Sequence, residues 1–293
     1  MKQTVIDSKY WHGVVMILLI LTLVSCFEDE SLNEKEKEVD EPTSALDVYI
    51  DEHFTDEYNI AVRYKYVDNY VEPGQNVAPP KLEMVRPMLD FVDDYWIAPY
   101  LAVENGEDFF RRYVPAELIF LGGLIYNGDG TVTLGTADAG ARITYTNVNG
   151  YDLSDPEWLK LQLQVTYHEF AHIIHQEFKL PSGFENISPE GYSSAGSWYN
   201  LTDEEALQRG FVSPYATSSA NEDFAEMVAF YVFDADFFAN YIDQDTGCVT
   251  AQCELDNAGK KKILEKLTSI KDHYLKVTGI DLDELRAELQ SRL

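Results

Sequence analysis

The most constraining feature of this chain is a predicted helix whose inward face changes from apolar residues to histidines. The tetrapeptide SDPE at residues 154–157 combines a helix N-cap, a first-turn proline and a capping-box glutamate, so we expect a helix from there to about residue 178. The apolar line through Val165 continues into His168 and His172. Buried imidazoles need polar partners, and a metal ion supplies one, so this face favours a metal site.

These two histidines belong to the motif HEFAH, which fits the pattern His-Glu-x-x-His. Histidines four residues apart lie about 40° apart around a helix, so both can reach one ion. Glu169 is about 100° further round from His168 and can face a water on that ion without ligating it. The spacing favours Zn²⁺ held by two imidazoles, with a carboxylate base beside its water. The alternative is a helix with two hydrogen-bonded histidines and a surface glutamate.

A second predicted helix, which begins at Ser219, offers the third ligand that tetrahedral catalytic zinc needs. It carries Glu222 and Glu226 one turn apart, and two such carboxylates repel each other unless positive charge lies nearby. One can bind the metal while the other accepts the N–H of a ligating histidine. The alternative is a solvated acidic helix start, which accounts for Glu222 and Asp223 better than for Glu226, because Glu226 stands among apolar residues.

A further histidine follows the motif on the first helix. The pattern HExxHxxGxxH, which supplies a third histidine ligand, is absent because residue 175 is histidine and residue 178 is phenylalanine. His175 lies two turns beyond His168, so we expect it to be too far away to share the ion. It either lines the pocket and supports a ligand or is an ordinary polar side chain.

Composition excludes several classes of function. The chain has 293 residues, of which 45% are hydrophobic and 13% aromatic, enough for a packed core. The 51 acidic and 22 basic residues leave a formal charge of -29, so the positive surface that nucleic-acid binding requires is missing. We therefore expect no nucleic-acid partner and a monomeric protein.

The N-terminus resembles that of bacterial lipoproteins. An apolar run of 11 residues, 14–24, follows two lysines and is shorter than the roughly 20 residues needed to span a bilayer, so residues 1–25 read as a signal peptide. The sequence LVSC resembles the lipoprotein box, which makes Cys26 the lipidated N-terminus; an ordinary cleavage site with an incidental cysteine is the alternative. Residues 26–42 form an acidic tether, whose start resembles the signal that exports Bacteroidetes lipoproteins to the outer-membrane surface; the periplasmic face stays an alternative.

Residues 43–293 are predicted to form one two-lobed α+β domain that contacts the membrane only through the N-terminal lipid. A first lobe with a mixed or antiparallel sheet precedes a mainly helical lobe. In the first lobe we expect strands at 60–67 and 118–121, a helix over 82–103 and an antiparallel pair of strands at 131–134 and 141–146. In the second lobe we expect helices over 154–178, from 219, over 257–277 and over 282–293.

Two cysteines flank a small loop near the C-terminus. Cys248 and Cys253 are separated by four residues, and an exported protein is in an oxidising compartment. We therefore expect a local disulfide there. The absence of a nearby histidine and of CxxC spacing argues against a metal site at these cysteines.

The motifs together resemble those of one family. HExxH on one helix and E-x-x-x-[DE] on a later one is the gluzincin pattern of thermolysin-like zinc peptidases. Tyr215 precedes Glu222 by the interval at which a tyrosine precedes the glutamate ligand in the anthrax lethal factor catalytic domain. With the lipoprotein start and the segments HEFAHIIHQ and EDFAEMVAFYV, the chain most resembles the zinc-binding metallopeptidase lipoproteins of the Bacteroidetes.

The resemblance implies a zincin-like fold and one Zn²⁺ per chain, with protein or peptide as the substrate. Peptide bonds would be hydrolysed by a zinc-activated water at the membrane where the lipid anchors the protein. A surface lipoprotein that binds peptide or glycan with a structural or degenerate metal site, and a non-peptidase zinc hydrolase, are the alternatives. The implied roles are His168, His172 and Glu222 as ligands, Glu169 as general base, Glu226 as the carboxylate behind a histidine, and Tyr215 as oxyanion donor.

Two other tyrosines stay open as oxyanion donors. The segment 183–200 is rich in glycine, serine and aromatic residues and has no helical periodicity, so we expect it to form a cleft wall or a lid. Tyr192 and Tyr199 belong to this segment and are the alternatives to Tyr215. The histidine partner of Glu226 also stays open, because thermolysin-like enzymes usually have aspartate at that position.

Overall fold

Short helices alternate with the first strand of the sheet in the first part of the chain that the structure describes. The computed structural model describes residues 44–67, 70–71, 75–126, 132–133, 135–137, 142–194 and 196–293. The predicted signal peptide, Cys26 and the acidic tether lie outside these residues. Residues Ala45–Leu293 form one compact unit.

Five short helices make up the first layer: α1 (Ala45–Ile50), α2 (Asp56–Tyr58), α3 (Leu82–Val92), α4 (Ala98–Ala102) and α5 (Gly106–Tyr113). Two π-helical turns, Asp51–Thr55 and Asp93–Ile97, join α1 to α2 and α3 to α4. The helix predicted over 82–103 is therefore present and contains a π-helical turn.

A four-stranded mixed sheet in the order β1-β2-β6-β5 contains β1 (Ala61–Arg63), β2 (Glu117–Phe120), β5 (Gly135–Ala137) and β6 (Arg142–Tyr145). The strands β1, β2 and β6 run parallel, and β5 is antiparallel to β6. A separate antiparallel pair consists of β3 (Ile125–Tyr126) and β4 (Val132–Thr133). The expected mixed sheet is present, although the strand predicted over 60–67 covers only three residues.

The predicted pairing of 131–134 with 141–146 is wrong. Val132–Thr133 pairs with β3, and the antiparallel neighbour of β6 is Gly135–Ala137. The register of a hairpin depends on the length of its connection, and Gly135–Ala137 carries no alternation of large apolar residues that would mark it as a strand.

The second half is helical, as predicted. It contains α6 (Pro156–Phe178), α7 (Asp203–Arg209), α8 (Ala220–Phe233), α9 (Phe237–Tyr241), α10 (Ala251–Thr278) and α11 (Leu282–Gln290). Helix α10 begins before the predicted residue 257 because the Thr250 side chain caps the N–H of Cys253. Cys248 and Cys253 are joined by a disulfide, with Cα atoms 5.6 Å apart. None of the helices in the described ranges is long and apolar enough to cross a membrane.

Helix α6 is the central element of the fold. It begins where the Asp155 side chain accepts the N–H of Glu157, with proline in the first turn. From residue 162 to residue 175 its side chains are buried, apart from the partly exposed Gln164 and His172. The helix is therefore enclosed on all sides, whereas the sequence pattern indicated a single apolar face.

Hydrogen bonds and aromatic packing hold α6 in place. Trp158 and Gln162 donate to the backbone carbonyls of Asn147 and Thr146, just beyond β6, both at 3.0 Å. On the side away from the histidines, the ring of Phe170 packs edge-on against Tyr100 and Trp96 of the first layer, with centroids 5.1 and 5.3 Å apart. These contacts fix both the axial position of α6 and its rotation.

Helices α7 and α10 approach closely at Gly259. A Cβ atom added there would lie 1.8 Å from the carbonyl oxygen of Leu207 in α7. Only glycine fits at this contact, so the helix backbones can approach more closely than side chains would allow.

We expect Gly259→Ala to destabilise the protein by about 1–3 kcal/mol, because overpacking against backbone outweighs the higher helix propensity of alanine. Thermal or denaturant unfolding measures the change. Gly123→Ala is the matched control, since its Cβ would be 3.5 Å from the nearest atom, an ordinary contact. Equal stability losses in the two variants would contradict this account of the α7–α10 contact.

Candidate metal centre

Helices α6 and α8 pack against each other and bring three potential ligands together. His168 and His172 lie on the α6 face toward α8, with Nε2 atoms 3.0 Å apart. Glu222 Oε2 is 3.1 Å from each of these nitrogens. The structure thus joins the three ligands that the sequence pattern indicated, from two helices distant in sequence.

The start of α8 places the glutamate. Ser219 is the N-cap residue, and its hydroxyl accepts the N–H of Glu222 at 3.2 Å. This bond fixes the first turn of α8, so the Glu222 side chain leaves the helix at a defined angle. The helix start at Ser219 therefore fixes where the Glu222 carboxylate meets α6.

The three ligand atoms suit a zinc ion. They form a nearly equilateral triangle with sides of 3.0–3.1 Å. Tetrahedral zinc with bonds of about 2.0–2.1 Å needs ligand atoms about 3.3–3.4 Å apart, so a shift of only a few tenths of an ångström is required. Two imidazoles and one carboxylate are also ligand types that Zn²⁺ prefers, which leaves one coordination position free for a small molecule.

The electrostatics of the site call for positive charge. Burial disfavours a charged His168, but the carboxylates of Glu222 and Glu226 outweigh burial and raise its pKa to about 10. Burial likewise opposes ionisation of Glu222, yet hydrogen bonds from the two histidines hold its pKa well below the usual range. In the metal-free protein a proton on His168 supplies this positive charge, and a divalent cation would supply more of it.

Glu226 lies behind the first histidine ligand. It is 1% exposed, and its Oε1 lies 2.8 Å from His168 Nδ1. The ring N–H is not well aligned with this oxygen, so the contact is a close charge contact more than a straight hydrogen bond. Ser213 donates to Oε2 at 2.6 Å and Gln164 to Oε1 at 3.1 Å. Glu226 is therefore held in place from two sides, and His168 is the histidine partner that the sequence left open.

The second histidine ligand also has a partner behind it. His175 Nε2 lies 2.8 Å from His172 Nδ1, one helical turn along α6. Burial, with the charge of His172 as a smaller cause, lowers the pKa of His175 to about 4, so His175 is neutral at pH 7 and can accept the N–H. Of the two roles considered for His175, the contact favours support of a ligand.

Glu169 and Tyr215 lie beside the triangle. Glu169 follows His168 on α6 and is 7% exposed. The ring of Tyr215 is 5.9 Å from the His168 ring. Burial, followed by the charges of Glu222 and Glu169, raises the pKa of Tyr215 well above its usual value, so its hydroxyl keeps its proton at neutral pH and can donate. A carboxylate and a hydroxyl donor thus border the same site.

The two alternative tyrosines have other surroundings. The Tyr192 hydroxyl donates to Asp223 at 2.9 Å, in the interior behind α8. Tyr199 is 60% exposed, and its ring packs on Trp198. Trp198 in turn lies edge-on to Tyr215 with centroids 5.0 Å apart, so a row of three aromatic rings leads from the ligand histidine to solvent. Trp198 and Tyr199 of the segment 183–200 thus lie beside Tyr215 at the candidate site.

Comparison with known proteins agrees with this geometry. A family model described as "Putative zinc-binding metallo-peptidase" matches residues 39–283. The chain belongs to this family. A crystal structure described as a putative zinc-binding metallo-peptidase from Bacteroides caccae ATCC 43185 is similar, with a TM-score of 0.66 and 28% sequence identity over 84% of this chain and 90% of that one. No curated protein matches the chain.

Family membership confirms the resemblance and the α+β fold class inferred from the sequence. The sequence reasoning missed Gln164 and Ser213, the two residues that donate hydrogen bonds to Glu226. Gln164 precedes His168 by one helical turn, and Ser213 stands two residues before Tyr215. The helical interval is a usable signal for Gln164, whereas Ser213 lies in a loop whose path the sequence does not specify.

We expect the purified protein without residues 1–26 to contain close to one zinc ion per chain. Glu222→Ala and His172→Ala remove ligands and should lose most of the zinc. Glu226→Ala removes only the carboxylate behind His168 and should weaken affinity by about 10–100-fold. Elemental analysis and competition with a chromophoric chelator measure occupancy and affinity.

Glu83→Ala removes an exposed carboxylate of α3 and is the control for nonspecific charge effects, with no change in affinity expected. If Glu226→Ala lost all zinc while Glu222→Ala kept full occupancy, the ligand would be Glu226, one helical turn further along α8.

Proposed function

We propose that this protein is a zinc-dependent peptidase that hydrolyses peptide bonds, with Glu169 as general base, and that it is anchored to the outer membrane through Cys26. The observation that carries the catalytic part is the triangle of His168, His172 and Glu222, with Glu169 near enough for its charge to act on His168. A binding protein with a structural metal would need the ligands but has no need of a general base next to them.

The proposed mechanism assigns one task to each group. His168, His172 and Glu222 would hold the zinc, which when bound supplies a Lewis acid next to a water molecule. Glu169 accepts a proton from the attacking water and passes it to the leaving amine. The Tyr215 hydroxyl, protonated at neutral pH, donates a hydrogen bond to the carbonyl oxygen as negative charge develops there.

The surroundings of the site support an extended substrate. The aromatic row from Tyr215 through Trp198 to Tyr199 borders the His168 side. Beside His175 lies a cavity of about 510 Å³, lined by residues of the α6 C-terminus, the following loop and Asn221. A peptide that crosses the site would find an apolar surface on one side and a polar cavity on the other, which favours a peptide over a small ester or amide.

We expect Glu169→Gln to keep zinc and fold but to lower kcat by about 10² or more, because proton transfer by a positioned base typically contributes that much. Tyr215→Phe should lower kcat by about 10²–10³ if the hydroxyl donates to the oxyanion. Digestion of a peptide library, with and without chelator, measures the rates, and elemental analysis verifies that zinc is retained.

Tyr199→Phe is the matched control for Tyr215→Phe, since it removes an exposed hydroxyl of the same aromatic row. We expect it to retain the wild-type kcat. A zinc-loaded Glu169→Gln protein with full activity would rule out Glu169 as the base, and chelator-resistant digestion by the wild type would rule out the zinc mechanism.

The proposed location rests on the N-terminal sequence. We expect Cys26 to carry lipid, because the lipoprotein box and the short apolar run fit processing and not a membrane span. Labelled palmitate should enter the wild-type protein, and Cys26→Ser should abolish incorporation, whereas Cys253→Ser should retain it. Incorporation that persists in Cys26→Ser would point to another anchor, and protease accessibility on whole cells distinguishes the outer surface from the periplasmic face.

A further inference from the structure

A second cluster of charged residues lies in the interior on the other side of α8. The Lys266 ammonium of α10 is 2.7 Å from Asp223 Oδ2, and both side chains are fully buried. Asp223 also accepts the hydroxyl of Tyr192 at 2.9 Å. The sequence offered a solvated helix start only as an alternative for Asp223, and it predicted no ion pair there.

Lys266 joins three segments of the chain. Besides Asp223 of α8, it donates to the backbone carbonyl of Gly210 at 2.7 Å, at the end of α7. Its ammonium also lies 3.5 Å from the centroid of the Phe211 ring, a cation–π contact. Asp223 in turn accepts the hydroxyl of Tyr192, which belongs to the segment 183–200.

Each of these segments carries part of the candidate metal centre. Asp223 is the residue after Glu222, so its position fixes how the first turn of α8 is rotated and where the Glu222 carboxylate points. The chain leaving Phe211 continues directly to Ser213, which holds Glu226, and on to Tyr215. Lys266 therefore contacts α8 and the chain after α7 on the side that faces away from the candidate metal centre.

The ion pair is poorly explained by stability alone. Burial raises the pKa of Asp223 and lowers that of Lys266, while their mutual attraction opposes both shifts. Such pairs are often no more stable than apolar residues of similar size, because removing two charges from water offsets the attraction. A buried ion pair instead holds together the elements that it joins, because moving one partner away would leave the other charge buried and unpaired.

We propose that Lys266 is a positioning residue for the metal centre, which through Asp223 and Gly210 sets the orientation of Glu222 and of the segment that carries Ser213 and Tyr215. The inference rests on the metal centre of the proposed function. It assigns to Lys266 an effect on zinc affinity that is separate from its effect on folding.

The test uses a double variant, because removing one charge alone leaves the other buried and unpaired. Lys266→Met/Asp223→Asn makes both side chains neutral at similar volume. We expect it to remain folded, to bind zinc about 10–100-fold more weakly in chelator competition, and to show a lower kcat with a smaller change in KM.

The more exposed pair Lys271–Asp283 is the control, because it also joins α10 to another helix and its aspartate also accepts a tyrosine hydroxyl, that of Tyr231. Lys271→Met/Asp283→Asn should keep the wild-type zinc affinity. Zinc affinity within twofold of wild type in the folded Lys266→Met/Asp223→Asn protein, or an equal loss in the control, would overturn the proposal.

Two milder variants cover the case in which the double variant does not fold. Tyr192→Phe removes one hydrogen bond to Asp223 and no charge, and we expect zinc affinity to fall several-fold. Tyr231→Phe makes the same change in the control pair and should have no effect; equal affinity in both variants would refute the proposal. If the wild type itself binds no zinc, the metal centre and the proposed function fail instead.

Discussion

The structure depends on satisfying two imidazoles in the middle of a buried helix. His168 is buried and His172 is only partly exposed on α6, which is enclosed along almost its whole central part, so solvent supplies few of their hydrogen-bond partners. Helix α8 supplies carboxylates instead, one in front of the histidines and one behind. Because carboxylates and imidazoles must meet within about 3 Å, the packing of α6 on α8 has little freedom in register or rotation.

The remaining elements restrict this packing further. The bonds from Trp158 and Gln162 to the chain beyond β6 fix α6 along its axis, and the aromatic layer around Phe170 fixes its rotation. Helix α8 is held at its first turn by the Ser219 cap. The sheet is small and contacts α6 through β5 and β6, and the hydroxyls of Tyr145 in β6 and Thr166 in α6 lie 3.1 Å apart, so the sheet also holds the middle of this helix.

The parts that could be predicted from the sequence are those encoded by neighbouring residues. The cap at Asp155, the spacing of His168 and His172 and the Glu222–Glu226 interval all act within one or two helical turns, where geometry follows from residue number. The pairing of β5 with β6 depends on a connection whose shape the sequence does not fix, and it was predicted incorrectly. The sequence left two roles open for His175. Its distance from the ion excluded it as a ligand but did not show whether its ring contacts that of His172, as it does in the structure.

The ligand triangle has a consequence for the identity of the ion. Its two imidazole nitrogens and one carboxylate oxygen, 3.0–3.1 Å apart, are donors that Co²⁺, Ni²⁺ and Cu²⁺ accept as readily as Zn²⁺. The Irving–Williams order gives Cu²⁺ a higher affinity than Zn²⁺ for such a donor set, and two imidazoles with one carboxylate do not reverse that order. Selection among these metals would then lie outside the fold, in the supply of ions to the compartment where the chain acquires its metal.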